Sequence, residues 1–85
     1  MNGIQILGLA AGTMTAITFL PQVVRIWQTK SAKDISLFML LLLIIGVSMW
    51  LLYGILVKDA AIIYTNSSVL LMSFIMLYFK WRFNK

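Results

Sequence analysis

The sequence predicts an all-α membrane protein, a bundle of three transmembrane helices, and three observations carry that expectation. Apolar residues make up 62% of the 85-residue chain and charged residues 11%, against roughly 45–50% and about 25% in soluble domains. Mean hydropathy is +1.00. The apolar residues fall into three stretches, about Ile4 to Trp27, Ile35 to Val57 and Ala60 to Phe79. Each is long enough, at about 1.5 Å per residue, to cross a hydrocarbon core about 30 Å thick. The connections are short: Gln28 to Asp34 is polar and basic, and Lys58-Asp59 is barely a turn. Neighbouring helices should therefore be antiparallel, and residues 1–85 should form a single membrane domain.

The first span holds Pro21-Gln22 within Thr18-Phe-Leu-Pro-Gln-Val-Val-Arg25. A proline inside a helix removes one backbone hydrogen bond and presses on the carbonyl four residues back, here Ile17. No water in hydrocarbon can satisfy that carbonyl, so such a break persists only against protein or a wet cavity. Two outcomes stay open. The helix ends at the proline, although Ile4 to Leu20 gives only about 25 Å. Alternatively a kinked helix continues to Trp27, which the apolar Val23, Val24 and Ile26 favour.

The second span carries Gly46, Trp50, Tyr53 and Gly54 at spacings of four, three and one, on or near one helical face. Trp50 lies near the middle of this span, not at the interface where tryptophan usually anchors. It serves as packing bulk, or its flat ring beside small glycines stacks on the C–H face of a sugar. The third span holds Tyr64-Thr-Asn-Ser-Ser68 and Ser73. Hydroxyls and amides join membrane helices through hydrogen bonds worth roughly 0.6–2 kcal/mol, the simpler account of Ser67, Ser68 and Ser73. Asn66, about two turns into its span, is either such a joint or an amide offering a donor and an acceptor to a wet cavity.

Charge and composition exclude much. The chain has no cysteine and no histidine, which removes thiol chemistry, the commonest general base and the commonest metal ligand. Asp34 and Asp59 are the only acids, both in connections. No enzyme, cofactor or metal site is expected. The net charge of +5 is not gathered into a patch with interleaved aromatics, so nucleic acid is not an expected partner. The start, Met1-Asn-Gly-Ile-Gln5, carries no positive side chain, and no secretory signal peptide is expected.

The cations instead set orientation. Arg25, Lys30 and Lys33 flank the first connection and Lys80, Arg82 and Lys85 form the tail, against Lys58 alone on the other side. Such a bias places the first loop and C-terminus in the cytoplasm and the N-terminus outside, in a multi-pass protein of the cell inner membrane. Trp27, Tyr78 and Trp81 suit the inner aromatic belt. No ionisable residue lies deep in a span, which argues for an uncoupled path for neutral solutes. Three helices cannot enclose a path for anything larger than a small ion. A parallel two-fold homodimer of six helices, with its axis along the membrane normal, supplies the missing wall.

Several segments taken in order resemble the bacterial SemiSWEETs, half-size relatives of the eukaryotic SWEET sugar transporters in the PQ-loop superfamily. They are Phe19-Leu-Pro-Gln22, Thr29-Lys-Ser-Ala-Lys-Asp-Ile-Ser36, Trp50-Leu-Leu-Tyr-Gly54, Asp59 and Asn66. The resemblance implies a three-helix bundle packed in the order 1-3-2, a parallel homodimer, and one pocket on the two-fold axis for a neutral mono- or disaccharide moved passively by alternating access. It implies that Trp50 and Asn66 contact the sugar and that Pro21 and Gln22 form the hinge. Tyr53 and Asp59 would close the outer side, and Phe19 and Met39 the inner side. Relatives often carry an arginine two residues before the outer aspartate, where this chain has Val57. Lys58 is adjacent but points about 100° away on the helix. Thr15, Phe19 and Ser48 are candidates for trimming the pocket. The alternative from another class is a small pore-forming or structural membrane protein, holin-like. Transport of an amino acid by a PQ-loop relative is a third, set back by the missing intramembrane acid.

Overall fold

The computed structural model describes residues 2–83, so Lys85 of the basic tail lies outside the described residues. Three helices follow in order: α1 (Gly3–Thr29), α2 (Leu37–Leu56) and α3 (Ala60–Phe83). All three are long and apolar enough to cross a membrane. Pro21 lies inside α1, which continues beyond it for two turns, so the helix does not end at the proline. Its 27 residues correspond to about 40 Å, some 10 Å more than a hydrocarbon core requires.

Local chemistry sets the ends. The Asn2 Oδ1 accepts from the Gln5 N–H at 2.7 Å, the Ser36 Oγ from Met39 at 3.2 Å, and the Asp59 Oδ1 from Ile62 at 3.1 Å. Each side chain satisfies one of the donors a helix start leaves free. Thus α2 begins at Leu37, two residues later than its apolar stretch, because Ser36 caps it and Ile35 belongs to the loop. Between α2 and α3 the chain turns through Lys58, which takes a left-handed conformation at φ 57°. The Asp59 N–H donates to Gly54 O at 2.9 Å and the Lys58 N–H to Ile55 O at 3.2 Å, the paired bonds of a Schellman ending. Helix α3 runs on to Phe83, four residues past its apolar stretch. Lys80 and Arg82 fall in its last turn, where long cationic side chains reach the interface and suit the negative helix end.

Helix α3 packs against both α1 and α2, and among the described residues α1 and α2 make no comparable contact with each other. The packing order is 1-3-2, as the resemblance implied. The result is an open trough with α3 at its back, 44 × 21 × 14 Å in extent.

Two contact regions hold it. At the end carrying the lysines and arginines, Ile26, Ala32, Leu40 and Met76 are buried, and Phe19, Val23, Leu43 and Phe79 pack around them. There the Lys80 Nζ donates to Ala32 O at 2.9 Å, tying the end of α3 to the α1–α2 loop. Towards the opposite, hairpin end, α1 and α3 meet along small residues. A Cβ on Gly8 would lie 2.8 Å from the Ala61 Cβ, and one on Gly12 would fall on the Thr65 side chain. Gly8 and Gly12 form a Gly-x-x-x-Gly pair against Ala61 and Thr65, also four apart. Such seams let membrane helices approach closely enough for backbone contact.

Candidate functional site

An open groove of ≈ 350 Å³ lies beside that seam, lined by Gly8, Ala11, Gly12 and Thr15 of α1, Ala61, Ile62, Thr65 and Asn66 of α3, and Trp50 reaching in from α2. The structure therefore brings Trp50 and Asn66 together. Their depths match. Trp50 lies six residues before the end of α2 and Asn66 six residues after the start of α3, about 9 Å from the hairpin end in each case.

Trp50 is 57% exposed, so its ring does not serve as packing bulk within the protomer. Among the described residues its one aromatic neighbour is Tyr53, edge to face at a centroid distance of 5.6 Å. The Asn66 Nδ2 donates to Ile62 O at 2.9 Å, which fixes the amide against its own helix. Its carbonyl oxygen makes no hydrogen bond within the described residues and remains available as an acceptor. The ring offers a flat apolar face and the amide a polar edge, and both open on one groove. That combination suits a polyhydroxylated ring, with stacking on the C–H face and hydrogen bonds to hydroxyls.

Other candidates fall elsewhere. Thr15 lines the groove, while Ser48 and Phe19 do not. The Ser48 hydroxyl donates to Ile44 O at 2.7 Å and Phe19 packs on the basic-end core. Met39 is 62% exposed in the first turn of α2. Tyr53 and Asp59 both lie towards the hairpin end, but the Asp59 carboxylate is engaged as the cap of α3. Pro21 and Gln22 are exposed on α1 between the groove and the basic end. Ser68 and Ser73 donate to carbonyls four residues back, at 2.9 and 2.7 Å, and Ser73 is fully buried; both are structural.

Reading by residue type overlooked the seam and one cross-helix bond. The Thr13 hydroxyl donates to Leu9 O at 2.8 Å, so the 2.7 Å contact with Tyr64 has the tyrosine hydroxyl as donor, since a hydroxyl carries one hydrogen. The Gly8-x-x-x-Gly12 spacing was a visible signal for the seam. No comparable signal marked Thr13 and Tyr64 as partners.

The fold and groove define a class, small helical membrane proteins with a polar-edged groove between apolar helices. The PQ loop repeat family pattern matches residues 3–63. The chain is 39% identical over 80 residues to a protein named Sugar transporter SemiSWEET from Bradyrhizobium diazoefficiens, covering 94% of this chain and 93% of that one. It is 41% identical over 75 residues to a protein of the same name from Leptospira biflexa, covering 88% of each. A solved structure described as a bacterial homologue of SWEET transporters superposes with a TM-score of 0.92 at 34% identity, over 96% of this chain and 99% of that one. The chain belongs to the PQ-loop family, in its SemiSWEET branch. Those relatives are named as transporters and not as enzymes, in line with the composition.

Proposed function

We propose that the chain is a passive sugar carrier, working by alternating access as a parallel two-fold homodimer of the inner membrane, with its N-terminus outside and C-terminus in the cytoplasm. The observation that carries this is the pairing of Trp50 and Asn66, equally deep, on a groove open along one side. A polar solute there would face hydrocarbon unless another protein surface covered it, at a cost of several kcal/mol for unsatisfied polar groups. A second copy related by a two-fold axis supplies that surface together with its own Trp50 and Asn66.

Within this reading Trp50 stacks on the sugar and Asn66 bonds its hydroxyls. Pro21 and Gln22 provide the bend between open forms that differ by a few kcal/mol, which sugar binding can bias. Tyr53 with Asp59 closes the outer side and Phe19 with Met39 the inner side. The lack of an ionisable group deep in any helix supports uniport, since coupled carriers place titratable groups there.

The test is counterflow of labelled glucose and sucrose into proteoliposomes. Wild-type protein should accumulate at least one of them. Trp50→Ala and Asn66→Ala should each reduce uptake to near the empty-liposome level while eluting as the same species on gel filtration. Wild-type uptake by both variants would overturn the pocket assignment, and inactivity of the unaltered protein towards both sugars would remove the sugar class.

A further inference from the structure

A second cavity lies at the basic end. Ala11, Thr15, Thr18, Gln22, Arg25 and Thr29 follow one another on α1 at intervals of three or four, are all exposed, and lie within roughly 80° of helical arc. This stripe starts in the groove, which Ala11 and Thr15 line. It ends in a crevice of ≈ 450 Å³ between the last two turns of α1 and the α1–α2 loop, lined among others by Gln22, Arg25, Thr29, Ser31, Lys33 and Asp34. The buried Ile26 and Ala32 also line it, so its base is firm.

The cations of this end are not equivalent. The Lys30 Nζ stands 4.4 Å from the Trp27 ring centroid and 5.6 Å from that of Phe83, and Lys80 is spent on Ala32 O. Arg25 lines the crevice from α1 and Lys33 from the α1–α2 loop, with Asp34 the single acid among its lining residues. The Thr29 hydroxyl donates to Arg25 O at 2.9 Å, while the Gln22 amide and Ser31 hydroxyl add neutral donors.

We propose that this crevice binds a phosphate group, held by the Arg25 guanidinium and the Lys33 ammonium and assisted by Gln22 and Ser31. A guanidinium fork matches two phosphate oxygens at once, and an ammonium adds a point charge. A doubly charged oxyanion uses both cations despite Asp34, whereas a carboxylate neutralises only one. The volume exceeds that of a bare phosphate and leaves room for what it is attached to, a sugar or a lipid glycerol. An occupant bridging Arg25 and Lys33 joins the segment after Pro21 to the loop, so it restrains the proposed hinge. That consequence rests on the carrier reading; the binding does not.

Calorimetric titration of inorganic phosphate into the full chain, in a polyoxyethylene detergent free of phosphate and sugar, tests it. Saturable binding is expected. Arg25→Gln and Lys33→Gln should each weaken it by about tenfold or more. Asp34→Asn should tighten it severalfold, a gain that misfolding cannot mimic, and Lys58→Gln at the far end should leave it unchanged. No saturable heat, or unchanged affinity in both cation variants, overturns the proposal. Displacement of phosphate by phosphatidic acid, a phosphomonoester that reaches the same double charge, identifies a lipid headgroup as occupant, and displacement by glucose 6-phosphate alone identifies a soluble phosphate ester. If neither displaces it, the crevice holds an adventitious ion only and the proposal fails.

Discussion

Gly12 is the position where the least added volume should do the most damage. It is buried, and a Cβ there would fall on the Thr65 side chain. Overpacking of this kind costs about 1–3 kcal/mol when neighbours cannot move, and both helices here are committed to further contacts. Gly12→Ala should lower the thermal midpoint in detergent, and Gly12→Val should lower it more. Adding Thr65→Ala to Gly12→Ala should restore part of the loss, because the two residues share one contact and their effects should not add. A double variant no better than Gly12→Ala alone would show that the seam is not what the first change broke. The four-residue spacing of Gly8 and Gly12 is present in the sequence, but it does not say what the pair faces. That requires knowing that α3, and not α2, lies beside α1. Trp50 and Asn66 were legible for the opposite reason. A flat ring and an amide within otherwise apolar spans are conspicuous whatever packs against them.

At the scale of the helix, α1 is held by α3 in its first half and by the basic-end core from Phe19 onward. Its first half is pinned by Gly8 and Gly12 on α3, and its last turns by Ile26 in the basic-end core. Pro21 lies between Phe19 and Val23, which pack on that core, and its missing hydrogen bond makes it the point of α1 where bending breaks no backbone pairing. Pro21→Ala and Pro21→Gly separate flexing from a fixed shape. Recovery of counterflow by glycine but not by alanine supports flexing, and equal activity in both counts against a hinge. The helices themselves were legible because an apolar run of sufficient length in hydrocarbon has little alternative to a helix. Their ends were less so. Hydropathy extended α2 back to Ile35, although the Ser36 cap decided the start. It stopped α3 at Phe79, although the helix runs on through Lys80, which reaches back to Ala32 O, and the exposed Arg82.

For the whole molecule, the missing contact between α1 and α2 matters most. A closed three-helix bundle would bury Trp50 in a core. The open trough instead leaves Trp50 and Tyr53 more than half exposed, with Trp50 on the wall of a groove that has one side absent. The polar stripe of α1 runs from that groove to the basic end, so one face of a single helix lines the length of the trough. None of this could be read from spacing alone, because it depends on which two helices stay apart.

The open side also has a genetic consequence. If two copies complete one site, every substitution in the gene enters the site twice, and a cell making normal and altered chains together makes mixed pairs. Random pairing at equal dose leaves roughly a quarter of the pairs wholly normal. Co-expression of Asn66→Ala with the wild-type chain should therefore pull transport well below half of the wild-type level, towards that quarter. Uptake that stays at half would mean that each chain works alone. Alleles of such a gene would behave as dominant, and a duplicated, fused copy would be a way to let the two halves of the site diverge.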